Sequence, residues 1–317
     1  MLGNENASTK ARLLEILRQT DKRVSGEELS SALEISRTSV WKAVQSLQKA
    51  GYQIDAQKNG YLLKENNSDS LCPFEFGKDE GRFVHFKTIG STMDEARKIA
   101  LKGLEAGDLS AKVVTADEQS QGKGRGKHLW KTTNGSLAFT LVTYPKLLAH
   151  QNGRALMAAQ IAMANALEKT SGKRFFVRWP NDIWSANGKV SGILDESLNV
   201  GGLCSYLNLG IGANISKCPK IQGVDKALDK KRPSARKEIL EAFLKEYSLM
   251  EGLIFSDAND LQKIWDKKNF DAQKTVRAEN GEKLIFCGIN PYGWATFNTL
   301  SGAKKIFAPG SISYEKR

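Results

Sequence analysis

Three apolar stripes at helical spacing open the chain. From Thr9 to Gln19, Leu13, Leu14 and Leu17 fall on one face. Ser25 with Glu28 three residues on forms a capping box, and it starts a second helix carrying Leu29 and Leu33. After the tight connection Leu33-Glu34-Ile35, Ser36 caps a third helix whose buried stripe is Val40, Val44 and Leu47. Its other face shows Arg37, Thr38, Ser39, Lys42, Gln45 and Lys49. Tyr52, Ile54 and Ala56 then alternate, Lys58-Asn59-Gly60 supplies a turn, and Tyr61-Leu62-Leu63 returns, the pattern of a two-stranded hairpin. Three helices and a hairpin predict a winged helix-turn-helix over residues 1–65.

Polar Asn66-Asn67-Ser68-Asp69-Ser70 reads as a linker, and a second domain is expected over 66–270. Its strand-like alternation begins at Arg82-Phe83-Val84-His85-Phe86, followed by a helix from about Ser91 and strands near Val113 and from Leu137 to Val142. An almost wholly apolar helix from Arg154 to Leu167 comes next, then strands at Phe175–Trp179, Val190–Leu194 and Tyr206–Ile211. Arg236 to Met250 is amphipathic, with Ile239, Leu240, Phe243 and Tyr247 inward, and Leu261 to Trp265 adds a further helical turn or two. This is a mixed sheet with helices. From Asp271 to the end, short alternating segments are broken by Glu279-Asn280-Gly281, Asn290-Pro291-Tyr292-Gly293 and Ser301-Gly302, which predicts a small all-β barrel over 271–317. The fold class expected is multidomain α+β.

Length and charge agree with this division. A chain of 317 residues exceeds one core, and 40% hydrophobic with 26% charged residues describes a folded globular protein. The net charge of +12 suggests a polyanionic partner, nucleic acid or a phosphate-bearing ligand. Residues 1–65 hold 10 basic and 8 acidic side chains, so most of the excess lies beyond the winged helix. Net charge does not settle what the winged helix binds. Its architecture places the third helix in the DNA major groove, with no acid between Ile35 and Ile54 and Ser36, Arg37, Thr38, Ser39 and Lys42 as candidate contacts, against the plainer reading of a protein-interaction domain with a solvated basic face. Four scattered cysteines and three scattered histidines give neither a disulfide framework nor a zinc spacing. Met1 to Lys10 lacks a signal-peptide core, and no apolar run approaches the ~18 residues of a membrane span. Cytoplasm is the expected compartment.

The most unusual stretch is Gln119-Ser120-Gln121-Gly122-Lys123-Gly124-Arg125-Gly126-Lys127-His128-Leu129-Trp130, three glycines interleaved with cations. It is not a Walker A loop, because Asp117 stands where the first Gly belongs and no Gly-Lys-Ser/Thr follows, and it lacks the G-x-G-x-x-G spacing. On residue types alone it is either a phosphate cradle or a mobile basic turn.

Arg178-Trp179-Pro180-Asn181-Asp182 with Gly188-Lys189-Val190-Ser191-Gly192-Ile193-Leu194 resembles the (K/R)-W-P-N-D…K-x-x-G-I-L signature of biotin protein ligases. The basic loop resembles that family's G-R-G-R-x-G-R-x-W adenylate loop, Gly90-Ser91-Thr92 its early biotin motif, and Gly210-Ile211-Gly212-Ala213-Asn214-Ile215 its later G-x-G-x-N element. With the winged helix and the terminal barrel, nearly the whole chain is similar to the bifunctional biotin ligase/biotin operon repressors. The resemblance implies a class II synthetase-like biotin/lipoate ligase core followed by an SH3-like barrel. It also implies two-step chemistry: biotin and MgATP give biotinyl-5′-adenylate and pyrophosphate, and a lysine of a biotin carboxyl carrier protein then takes the biotin.

In that reading Lys189, Arg125 and Asp182 are catalytic, with Lys189 placed at the biotin carboxylate and α-phosphate and Asp182 near the metal and the incoming lysine. Biotin falls to Ser91, Thr92, Gln119, Gly122, Lys123, Gly124, Arg125, Lys189 and Gly192; the adenylate to Lys123, Arg125, Trp130, Asn181, Asp182, Asn214 and Arg236. Several positions keep a plainer reading: helix capping for Ser91, solvent exposure for Gln119, core packing for Trp130, a structural turn for Trp-Pro-Asn-Asp and a helix-start arginine for Arg236. The chain departs from the family at Lys123, Lys127 and His128, which leaves one fewer arginine fork for phosphate, and at Met93, where an Asn often follows Ser-Thr. Also implied are ATP with Mg2+ as co-substrate, operator DNA and a ligand-induced homodimer. The competing readings are a lipoate or octanoate ligase, and a regulator whose ligase core only senses; the second predicts loss of Lys189, which is present.

Overall fold

The computed structural model describes residues 7–65, 69–230, 232, 234–256, 258–278, 280–309 and 311–312, so most of the 66–70 linker, the first six positions and Glu279 of the expected turn lie outside the described residues. The chain divides into two compact units, Met1–His85 and Phe86–Arg317.

In the first unit, α1 (Thr9–Arg18), α2 (Gly26–Leu33) and α3 (Arg37–Lys49) each start at a serine cap. Ser8, Ser25 and Ser36 accept from the backbone N–H of Ala11, Glu28 and Ser39, and Glu28 closes the box by accepting from Ser25 N–H at 2.7 Å. Each cap satisfies a donor that the helix leaves open. The apolar stripes meet in one core of Leu13, Leu14, Leu17, Leu29, Leu33, Val40, Val44 and Leu47, closed by Tyr52 and Ile54 beside the wing. The wing is β1 (Gln53–Gln57) against β2 (Gly60–Glu65), with Val24 and Tyr61 exchanging backbone bonds at 2.9 and 2.8 Å. Gly60 takes φ 128° there, where a Cβ would collide with the Val24 carbonyl. Of the alternating set Tyr52, Ile54 and Ala56, the first two are buried in the core and Ala56, nearest the turn of the wing, is exposed.

A 3-10 segment, Pro73–Arg82, completes this unit. Its Glu75 carboxylate is buried, takes two bonds from Arg18 (2.8 and 3.0 Å) and accepts from Tyr52 Oη at 2.6 Å. Burial, followed by the Glu75 charge, pushes the Tyr52 phenol far above its usual range.

The second unit is built on a mixed sheet of seven strands in the order β3-β4-β5-β9-β8-β7-β6. These are β3 (Phe83–Ile89), which runs across the unit boundary, β4 (Lys112–Gln119), β5 (Leu137–Thr143), β6 (Phe176–Arg178), β7 (Asp182–Trp184), β8 (Lys189–Val200) and β9 (Leu203–Ala213). The ladders from β4 through β6 are antiparallel. One face carries α4 (Thr92–Ala106), whose Ala96 and Ala100 pack on Val114, Val142 and Tyr206. On the other face lie α5 (Asn152–Ser171), α6 (Ala235–Phe255) and α7 (Ala258–Lys267); α5 is buried nearly all round, which explains its continuous apolar sequence. Four strands, β10 (Thr275–Arg277), β11 (Lys283–Ile289), β12 (Ala295–Thr299) and β13 (Lys304–Phe307), form a C-terminal antiparallel sheet in chain order. Among the described residues no helix is long and apolar enough to cross a membrane.

Candidate active site

A cavity of about 630 Å³ opens on the α4 face of the sheet. Its floor is backbone: Gly192 of β8 and Gly210 and Gly212 of β9 present no side chains. A Cβ at Gly212 would run into the Trp130 indole, and one at Gly210 into the Met93 thioether, so the G-x-G pattern is what lets flat groups lie on the strands.

At one end Ser91 caps α4, its Oγ accepting from Met93 N–H at 3.3 Å. Thr92 donates both its N–H (2.8 Å) and its hydroxyl (3.1 Å) to Gln119 Oε1 and accepts from Thr140 Oγ1 at 2.9 Å. Gln119 is therefore half-buried and engaged rather than solvated, a contact across 27 positions that no local pattern shows.

The basic loop closes into a hairpin. Lys123 bridges Leu129, Trp130 N–H donates to Gly122 O at 2.8 Å, and Gly124 N–H to His128 O at 2.9 Å. Gly126 turns the chain at φ 60°. Arg125 lines the cavity, whereas the Lys123 ammonium also pairs with Asp94 of α4. Trp130 lies across Gly212, and its indole N–H is buried without a partner among the described residues.

Opposite the loop, Trp179-Pro180 leads into β7, a three-residue strand where the sequence suggested only a turn. Asp182 pairs with Gly192 across the β7–β8 ladder. Asn181 donates its amide to Ile193 O at 2.7 Å. Lys189 follows a turn held by Ser185, its N–H donates to Gly223 O at 2.8 Å, and its carbonyl accepts from Asp225 N–H at 2.9 Å. The side chain folds over Gly192 and sets Nζ 2.7 Å from Asp182 Oδ1 and 5.8 Å from the Trp130 ring centre. Asp182 is only 1% exposed, so the ammonium at the cavity wall rests on a buried anion.

Eleven of the fourteen ligand residues expected from sequence line this one cavity; Gly122, Asn214 and Arg236 are not among the lining residues. Gly122 sits behind Trp130, Asn214 donates to Asp225 O at 3.2 Å, and Arg236 pairs with Asp117 of β4 at 3.0 Å. Leu129 and Leu194 also line it from inside the two sequence motifs, without a role foreseen for either, and Ile312 comes from the far C-terminus, where no sequence signal marks it. In the first unit Arg37, Thr38 and Lys42 are exposed on α3, while Ser36 and Ser39 bond each other in the cap. Trp41, 52% exposed, and the wing residues Gln57 and Lys58 join Arg37 around a separate groove and were not anticipated.

Comparison with known proteins matches residues 9–62 to an HTH domain and residues 86–214 to the biotin/lipoate A/B protein ligase family. The chain is 26% identical over 308 residues to the bifunctional ligase/repressor BirA of Bacillus subtilis (strain 168), covering 90% of this chain and 92% of that protein. It is 34% identical over 137 residues to the biotin–[acetyl-CoA-carboxylase] ligase of Paracoccus denitrificans, 43% of this chain and 55% of that protein. Biotin protein ligase from Aquifex aeolicus, solved with biotin and ATP, shares the fold at TM-score 0.60 and 23% identity, covering 74% of this chain and 99% of that one. A nucleotide-sized cavity walled by a fixed cation and a glycine-rich basic hairpin, on a mixed sheet preceded by a winged helix, defines the class. The chain belongs to the family of bifunctional ligase/repressors, an HTH domain joined to a biotin/lipoate A/B protein ligase domain.

Proposed function

We propose that this chain activates biotin with ATP and transfers it to a lysine of a carrier domain. The observation that carries the reading is the Lys189–Asp182 pair set over the glycine floor opposite Arg125 and Trp130. A biotin carboxylate oxygen attacks the α-phosphorus of ATP, the bond to the β-phosphate oxygen breaks, and pyrophosphate leaves. Lys189 supplies the positive charge where two anions converge, and Asp182 fixes its position. In the second step the carrier lysine amine attacks the acyl carbon, AMP departs, and Asp182 is the carboxylate placed to take the ammonium proton. Ser91, Thr92 and Gln119 hold the ring end of biotin, and the 122–130 hairpin with Arg125 covers the acyl phosphate against water. Mg2+ belongs to this reading as the partner of the ATP phosphates, a co-substrate complex rather than a resident metal of the chain.

ATP–pyrophosphate exchange with biotin and with lipoate side by side tests this reading. Exchange with biotin alone, and biotinyl-adenylate in the extracted ligand by mass spectrometry, are expected; exchange only with lipoate makes the chain a lipoate-type ligase.

For the winged helix, the exposed α3 face and the wing groove support operator binding, and the same reading has the adenylate promote a dimer that meets two half-sites. Adenylate is expected to tighten binding to the chain's own upstream DNA about 5–150-fold. Titration with and without biotin plus ATP measures it, and equal affinity refutes the coupling. Arg37→Ala and Lys42→Ala should each flatten the salt dependence by about one unit of slope.

A further inference from the structure

Asn208, in the middle of β9, is fully buried, and neither its Oδ1 nor its Nδ2 has a hydrogen-bond partner among the described residues. A carboxamide left open at both ends inside a protein is strongly unfavourable and calls for a missing partner.

The ladder fixes where it lies. Asn208 pairs with Val142 of β5 and Glu196 of β8, one two-residue step beyond the row Thr140–Gly210–Leu194, so both rows share a face. That face is the one under α4, where Met93 lies on Gly210, Arg97 pairs with Glu196, and Ala96 and Ala100 pack on Val142 and Tyr206. Asn208 thus sits about 6.8 Å along the strand from Gly210, separated from the cavity by Met93, which lines it while Asn208 does not. In the reading above, Ser91, Thr92 and Gln119 hold one side of the biotin ring, and the bonds among them, both Thr92 donors to Gln119 Oε1 and the Thr140 hydroxyl to Thr92, leave them few donors for its other edge.

We propose that Asn208 is a further ligand-recognition residue, its carboxamide pairing with a ring that presents an N–H and a C=O side by side, the edge of a cyclic urea. Both open atoms must be matched, so the partner has to donate and accept at once. A cyclic urea does this; the dithiolane ring of lipoate, with only weakly accepting sulfurs, does not. The inference rests on the biotin reading above and gives it a source of selectivity. Met93 is the side chain that must yield, and an unbranched thioether with three rotatable bonds can swing aside without moving the helix.

Calorimetric titration of biotin and of lipoate into the full chain, with thermal melts, tests this on the wild type, Asn208→Val and Asn208→Thr. The wild type should bind biotin in preference to lipoate. Asn208→Val should melt at the same or a higher temperature, since the unmatched amide is gone, yet bind biotin at least tenfold more weakly; Asn208→Thr, keeping one hydroxyl, should fall between. Wild-type biotin affinity in folded Asn208→Val would overturn the proposal and assign the amide to a structural water. Should Asn208→Val fail to fold, unchanged affinity in Asn208→Thr would overturn it and weakened affinity would support it. A wild-type chain that binds no biotin overturns the functional reading itself, an outcome told apart because it appears before any substitution.

Discussion

Replacing Lys189 by Met is expected to slow biotin-dependent ATP–pyrophosphate exchange by roughly 10²–10³-fold, about 3–4 kcal/mol, the scale for removing one preorganised charge from the place where charge develops. Lys189 is held for this task from both sides. Its backbone is clamped by Gly223 and Asp225, and its head lies between Asp182, at 2.7 Å, and the Trp130 ring. Methionine keeps the stem, so the melting temperature should stay within a few degrees of wild type while the rate collapses. Lys189→Arg is expected not to rescue. A Cβ at Gly192 would already lie 3.1 Å from Nζ, so the cation is fitted closely over the floor, and a planar guanidinium needs more room than an ammonium. Near wild-type exchange in Lys189→Met would remove Lys189 from the chemistry and leave it a structural counter-ion of Asp182.

What the sequence makes legible here is local. Ser25 with Glu28, and Ser36 with the first turn of α3, form caps within three residues, so the winged helix can be read directly from the chain. The glycines at 192, 210 and 212 are legible as a motif because the backbone itself is the functional surface. Long-range partners are not legible. Nothing near Gln119 announces Thr92, nothing near Lys123 announces Asp94, and Arg236 reads as a helix start until the fold brings Asp117 to it. β7, three residues long, is too short to show alternation at all. Asn208 is hidden for the opposite reason: in a strand, a single Asn between apolar residues looks like an outward-facing position, and only the covering α4 makes it buried.

Asp271→Ala is expected to lower stability by about 3–5 kcal/mol, because Arg178 and Asp271 are each 2% exposed and removing one partner strands a buried charge. The pair is joined at 2.6 Å, and the guanidinium also lies 4.2 Å from the Trp184 ring centre. Its importance for the site follows from position: Arg178 immediately precedes Trp179-Pro180-Asn181-Asp182. The same segment is gripped again where Trp179 Nε1 donates to Gly293 O at 3.0 Å, in the turn between β11 and β12. From beneath, Gln160 of α5 spans the Arg178 and Asp182 carbonyls while accepting from Trp265 Nε1 of α7. The C-terminal region therefore grips the segment that leads into Asp182, although no residue of its four strands lines the cavity. Urea unfolding of the full chain measures the loss of stability. The double variant Arg178→Met/Asp271→Leu should recover much of it, since apolar groups of similar size replace a buried pair at little net cost. If Asp182 depends on that pair for its placement, kcat of the double variant stays depressed while KM for biotin, whose ring is held by groups at the far end of the cavity, changes little. Recovery of stability together with full kcat would confine the ion pair to packing.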